Sequence, residues 1–351
     1  MKRTGLRPGR FVWVFLLLLA VSGGVRAQDT TGYQPEDGPY ALQEVEELVL
    51  HDAARGKDLP LRIHYPEEGG PYPVIVFSHG AGGSKECCAA LMRHWASHGY
   101  VVIQVTHADS LRLRRQRGER VAIGRALGEA IRGLLDPEVR RERTGDISFV
   151  LDSLGEIEAR LPEVAGKIDA ERIGVAGHSA GALTAMLLGG TRSFADGAHD
   201  HTDPRPRAFL LLSAQGHGTG LGFTEESWQD FTRPMMNMTG SRDLAVGGQG
   251  PEWRKDPFEF APPGDKYHVY IEGAHHGSFI GNLRGGAAAW LRGETLQGEA
   301  LKEQEAIFVW VKVACLAFWD AYLKDDREAS DYLASDALPR LSAGGVLLLR
   351  K

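Results

Sequence analysis

The sequence predicts an α/β fold, a mostly parallel central sheet with helices on both faces. From Pro73 onward, apolar runs of strand length alternate with stretches at helical spacing, the pattern of parallel strands joined by covering helices. Nearly every such run ends in a glycine-rich or polar stretch, and in such sheets ligands bind beyond the carboxyl ends of the strands. A third observation is local. Strand-like Arg172-Ile173-Gly174-Val175-Ala176 leads into Gly177-His178-Ser179-Ala180-Gly181 and then into helix-forming Ala182 to Leu188.

Taken in order, Lys2, Arg3, Arg7 and Arg10 precede an apolar run, Phe11 to Val21, too short to span a bilayer, and Val25-Arg26-Ala27 offers a cleavage site before Gln28. Residues 1–27 read as a secretory signal, so the mature chain is expected outside the cytoplasm, secreted or periplasmic, without stable membrane insertion. Removing them takes away five basic residues and no acidic ones, moving the formal charge from -6 to -11 and arguing against a nucleic-acid partner. Residues 28–40, polar and rich in Gly, Pro and Asp, read as a flexible tether; 41–351 is the folded domain. Oligomeric state is not legible. Cys87, Cys88 and Cys315 allow one disulfide in an oxidising compartment, and no Cys/His spacing resembles a zinc site.

Val45–Leu50 and Leu59–Tyr65 read as an opening hairpin. Pro73–Phe77 is a buried strand ending in Ser78-His79-Gly80-Ala81-Gly82-Gly83-Ser84, whose glycines let the backbone approach a ligand. A helix over Ser84–Ser97 and a strand over Tyr100–Thr106 follow, the latter ending at His107. Residues 111–143 hold ten arginines against five acids, a charge run that favours a solvated helical insertion over a cap, on the substrate side either way. Asp146–Leu161 reads as one amphipathic helix. His199, Asp200, His201 and Asp203 read as solvated loop rather than a metal site. Strands are expected at Ala208–Leu212, Pro234–Met238 and Lys266–Ile271, and a long packed helix at Gln304–Leu323.

A serine at a strand-to-helix hinge needs a cramped backbone, and glycines two residues to either side remove the side chains that would collide there. Ser179 is the candidate nucleophile, and the N–H of Ala180, opening the helix, is a donor to an oxyanion. Ala81, at the earlier glycine-rich strand end, is the candidate second donor. A serine hydroxyl needs a base and a group that orients that base. The order Ser179, Asp243, His276 supplies them at successive strand ends; His276 is preferred to its neighbour His275, and Asp109 and Glu272 are weaker alternatives to Asp243. His79, Gly80, Gly82, His107, His178 and Gln215 lie at the same ends and are candidate substrate contacts.

Phe77-Ser78-His79-Gly80, Arg143 to Leu154, Arg172 to Gly181, Met238 to Asp243, Gly264-Asp265-Lys266-Tyr267, Gly273 to Phe279 and Leu316 to Leu323 carry a resemblance to the α/β-hydrolases, running from about Pro73 to Leu333. The chain is similar to the branch of dienelactone-hydrolase-like and platelet-activating-factor-acetylhydrolase-like esterases, near the bacterial polyester hydrolases. The resemblance implies Ser179 as nucleophile, Asp243 as acid, His276 as base and an oxyanion hole from Ala81 and Ala180. It implies a serine esterase acting on small or polymeric esters with no metal or organic cofactor. True dienelactone hydrolases carry a cysteine nucleophile, so that activity is not implied. In this superfamily the helix after the oxyanion loop and the final helix share one side of the sheet, which implies a Cys88–Cys315 disulfide. The alternatives are a non-catalytic binding protein on the same fold, or a peptidase or acyltransferase with the same triad.

Overall fold

The computed structural model describes residues 33, 36–120, 122–281 and 295–351. The proposed signal, 1–27, and most of the proposed tether lie outside them. Nine strands, β1 (Leu42–Asp52), β2 (Lys57–Pro66), β3 (Tyr72–Ser78), β4 (Val101–Val105), β5 (Ile168–His178), β6 (Ala208–Leu212), β7 (Met235–Arg242), β8 (Lys266–His275) and β9 (Val346–Arg350), form one sheet ordered β1-β2-β4-β3-β5-β6-β7-β8-β9. The β1–β2, β2–β4 and β8–β9 pairs are antiparallel and the other five parallel. Every connection that puts two parallel neighbours side by side must cross a face, which is why helices cover both.

The helices are α1 (Ala89–Ser97), α2 (Leu111–Gln116), α3 (Ile123–Gly133), α4 (Pro137–Asp152), α5 (Leu154–Arg160), α6 (Ala180–Gly189), α7 (Asp256–Phe260), α8 (Gly298–Leu323), α9 (Arg327–Ala334) and α10 (Ala337–Leu341). Alternate residues of each central strand enter opposite cores. Ile75 and Phe77 of β3 and Leu210 and Leu212 of β6 meet Trp95, Phe318 and Trp319 of α1 and α8. Val74, Val76, Phe209 and Leu211 meet Ile147 of α4 and Leu183 and Met186 of α6. Burial on both faces explains why these strands read as continuous apolar runs. The apolar length of α8 belongs to this interior: Ile307, Val311, Cys315 and Trp319 are fully buried.

Several expectations are corrected. The helix after the glycine-rich loop begins at Ala89 rather than Ser84, because Ser84–Cys88 forms a turn and Cys88 takes a left-handed conformation at its end. The stretch predicted as one helix after Asp146 is two, α4 and α5, divided at Ser153. The 111–143 segment is helical, but its last turn is not solvated, since Arg140 and Arg143 are buried. The end of the proposed tether is pinned, with Gly38 N–H on Ser97 Oγ and Tyr40 N–H on Ser97 O. Cys88 and Cys315 face the same core, yet both are free thiols.

Candidate active site

Ser179 joins β5 to α6 with φ 55° and ψ −116°, a region non-glycine residues enter only under constraint, at about 1–3 kcal/mol. Three contacts supply the constraint. Its N–H donates to Leu212 O of β6 at 2.9 Å. A Cβ on Gly177 would lie 2.0 Å from Gly181 O, and one on Gly181 would lie 1.8 Å from Ser78 O. Strand, elbow and helix therefore close on one another only where both flanking side chains are missing.

The β3 end passes over this elbow. A Cβ on Gly80 would come within 3.5 Å of Ser179 Cβ, so the glycine-rich loop lies against the serine. Gly83 N–H closes the loop on Gly80 O at 3.0 Å, a turn in which the intervening Ala81 N–H takes no part. Ala180 is the first residue of α6, where a backbone N–H has no partner within the helix.

A dense polar scaffold sets the loop. Arg143 of α4 donates to Asp109 Oδ1 at 2.6 Å, to Ser78 Oγ and Thr184 Oγ1 at 3.2 Å, and to the carbonyl of His79. Asp109 in turn accepts from Gly82 N–H at 2.9 Å. Burial would raise the Asp109 pKa, but Arg143, His79 and His107 outweigh it and hold the carboxyl well below its usual range. His79 donates from Nδ1 to Gly80 O at 2.6 Å and accepts His107 N–H on Nε2 at 3.0 Å. Burial, then Arg143, lowers its pKa to about 4, so it is neutral.

His107 stands between Ser78 Oγ, 2.8 Å from Nε2, and Asp146 Oδ2, 2.8 Å from Nδ1. This is serine–histidine–aspartate connectivity, but Ser78, His107 and Asp146 all have zero exposure. A sealed serine reaches no substrate, so the set is a brace for β3 and β4. His79 and His107, expected at the substrate, are thus corrected to positions behind the loop with both ring nitrogens engaged.

At the β7 end Asp243 is fully buried, and its Oδ1 lies 2.8 Å from His276 Nδ1. Oδ2 accepts from Thr239 Oγ1 at 3.0 Å and from Ser213 Oγ, which is itself 3.1 Å from His276 Nδ1. Arg254 sets Nε 3.1 Å from Oδ1 and anchors the Asp243, Ser213 and Ala214 carbonyls. Burial raises the Asp243 pKa, but the His276 hydrogen bond and the Arg254 charge outweigh it and leave it at about 2. Asp243 is an anion that orients the imidazole through Nδ1.

His276 sits beside the elbow. The His178 ring is 4.7 Å from its ring, and His178 Nε2–H donates to its carbonyl at 2.7 Å. Burial, then His276, lowers the His178 pKa to about 3. His178 is thereby corrected from substrate contact to a brace between the elbow and His276. His275 faces inward, with Nδ1 on Gly277 N–H at 3.1 Å. Glu272 turns outward to Ser241. Among the described residues Ser179 Oγ makes no hydrogen bond, and His276 retains about a third of its exposure; nucleophile–base bonds often tighten only with substrate. Gln215, 9 % exposed, has an Oε1 at the β6 end that meets no partner among the described residues.

Sequence reasoning missed Ser213, Thr239 and Arg254. Ser213 has φ 60°, a second constrained serine at the strand end next to Ser179; no spacing signals it. His201 bonds Asp196 and Thr144, and Asp203 bonds Ser148 and Arg205. His201 and Asp203 are thus bound inward rather than solvated, whereas His199 and Asp200 stay exposed as expected.

The strand order, the constrained serine after β5 and the aspartate and histidine after β7 and β8 define an α/β-hydrolase fold. A family model described as chlorophyllase matches residues 33–127, which include β1 to β4 and the glycine-rich loop. The chain is similar to platelet-activating factor acetylhydrolase of Bos taurus, 28 % identical over 141 residues, 34 % of this chain and 32 % of that protein. It is likewise similar to the Cavia porcellus acetylhydrolase, 27 % identical over 154 residues covering 36 % and 34 %. Cutinase est2 of Thermobifida alba is 24 % identical over 217 residues, 61 % of this chain and 56 % of that protein. The chain spans about a third of the length of the acetylhydrolases it matches and a little over half of the cutinase.

Proposed function

We propose that the protein is a serine hydrolase that cleaves carboxylic esters. The observation that supports it most is the 2.8 Å His276–Asp243 contact beside a serine held at φ 55° between two obligatory glycines. Ser179 attacks the ester carbonyl and His276 takes its proton. The developing oxyanion is held by the N–H groups of Ala81 and Ala180, and Asp243 stabilises the imidazolium. His276 returns the proton to the departing alcohol; water, activated by the same base, then releases the acid from Ser179. These roles call on no cofactor. The names of the relatives, an acetylhydrolase and a cutinase, favour small or polymeric esters. The basic, then apolar, N-terminus argues for export and cleavage after Ala27.

Hydrolysis of nitrophenyl esters from two carbons upward, with a polyester film alongside, tests the reading. Wild-type protein should turn over at least one of them and Ser179→Ala should lose several orders of magnitude. Retention of near-full activity by that variant, or no labelling of Ser179 by a fluorophosphonate, would refute it.

A further inference from the structure

Two adjacent cysteines, Cys87 and Cys88, bring their sulfurs to 3.0 Å. Neighbouring residues ordinarily point their side chains apart, to opposite faces of a strand or about a quarter-turn apart on a helix. Here the chain is folded back to bring them together. Ser84–Cys88 is a turn closed by Cys87 N–H on Ser84 O at 3.0 Å, and Cys88 takes φ 63° and ψ 18° just before α1. A left-handed residue of this kind costs about 1–2 kcal/mol unless it is glycine. The turn is held from below by Gln104 Nε2–H, which donates to Cys87 O at 2.6 Å.

We propose that Cys87 and Cys88 are a redox modification site that closes to a vicinal disulfide when the protein meets a disulfide donor. The sulfurs stand about 1 Å beyond bonding distance, with the backbone already bent into the ring. Cys87 is half-buried and open to a reagent, whereas Cys88 and Cys315 are enclosed. The order of steps follows. The Cys87 thiolate attacks one sulfur of the donor, forming a mixed disulfide and expelling one donor thiolate. Cys88 then gives up its proton and attacks the Cys87 sulfur, expelling the second. Two protein thiols and one donor disulfide become one ring disulfide and two donor thiols. Burial pushes the Cys88 thiol up, which makes it the resolving rather than the attacking group.

Such a ring encloses no chain, so it adds nothing through loop entropy and is not a staple. Consecutive Cα atoms lie about 3.8 Å apart, closer than the roughly 4.4 Å minimum of ordinary disulfides, so the bond should be readily reduced. The turn follows directly on the glycine-rich loop, but the chemistry is independent of any activity at Ser179.

The test equilibrates the full chain with oxidised glutathione, then denatures it without reductant. Free thiols should fall from three to one, the intact mass by two hydrogens, and the peptide carrying Cys87 and Cys88 should resist alkylation until reduced. The Cys315→Ser variant should fall from two thiols to none. Three persistent thiols, a lasting glutathione adduct, or a cross-link from either cysteine to Cys315 or to a second chain would overturn the proposal.

Discussion

His178 donates its Nε2–H to the main-chain carbonyl of His276 at 2.7 Å, so the residue before the elbow serine holds the backbone that carries the imidazole. The bond ties together the β5 and β8 ends that carry Ser179 and His276. His178→Ala should lower ester kcat by about ten- to a hundredfold, the scale of a small misplacement, with KM little changed. His178→Gln, which keeps a donor, should recover part of it. A fall in KM-dependent binding alone, with kcat intact, would assign His178 to substrate instead.

Arg143 ties α4 to the β3 end, the β4 end and α6 through Ser78, His79, Asp109 and Thr184. Lysine cannot reproduce that fork, so Arg143→Lys should lower kcat by about tenfold or more through a displaced Ala81 N–H. Arg143→Met leaves the largely enclosed Asp109 carboxylate without its cation, with only Gly82 N–H to accept from, and should cost about 2–4 kcal/mol by urea denaturation. Equal activity in wild type and Arg143→Lys would show the loop to be set by its glycines alone.

Ser78 and Ser179 test whether exposure, rather than connectivity, selects the nucleophile. Ser78→Ala removes a buried hydroxyl that receives Arg143 and contacts His107, and should cost about 1–3 kcal/mol of stability. Fluorophosphonate labelling should persist in that variant and vanish in Ser179→Ala. Loss of labelling in both, with Ser78→Ala folded by circular dichroism, would contradict the assignment.

Strands were legible because the central ones are buried on both faces, so each reads as an apolar run whatever its neighbours. Ser179, Asp243 and His276 could be proposed from the sequence because strand ends are marked by glycine and polar residues and the order of the three is informative. What escaped depends on contacts between distant segments. Nothing beside Arg143 in the sequence reveals that Asp109 will neutralise it, so it read as part of a solvated charge run. Arg254 and Ser213 meet Asp243 only through folding. The late start of α1 turns on one left-handed cysteine, a conformation no propensity scale assigns to that residue. β9 pairs antiparallel at the sheet edge, where half-exposed Leu347 to Leu349 carry no clean alternation.

Buried histidines give a pH dependence whose direction is fixed. Burial, reinforced by Arg143 at His79, by His276 at His178 and by Lys255 at His268, places these three at about 4, 3 and 4. Each titrates near pH 6.5 in the unfolded chain, so between about pH 6.5 and 4 the unfolded state binds more protons and stability falls as pH drops. Each contributes a slope of up to about 1.4 kcal/mol per pH unit there. Asp243 acts in the same direction at lower pH, its contribution holding above about 4 and fading toward 2. Urea unfolding from pH 7 to pH 4 should show the decline, and His268→Gln should flatten it by roughly one proton. A level profile over that window would be incompatible with these groups staying neutral.

Gly181 separates steric necessity from helix propensity. In an open helix, alanine is favoured over glycine by about 1 kcal/mol, and Gly155 of α5, with nothing within 4 Å of an added Cβ, should show that gain. At Gly181 the same methyl meets the backbone at the β3 end, 1.8 Å from Ser78 O and 3.0 Å from His79 O. Neither atom belongs to a flexible side chain, so β3 must move away from α6, carrying the glycine-rich loop with it. Gly181→Ala should therefore lose several kcal/mol or fail to accumulate as folded protein, while Gly155→Ala unfolds at equal or higher urea. If Gly181→Ala folds at wild-type stability and keeps its fluorophosphonate reactivity, the close packing of loop on elbow is not what holds Ser179 in its conformation.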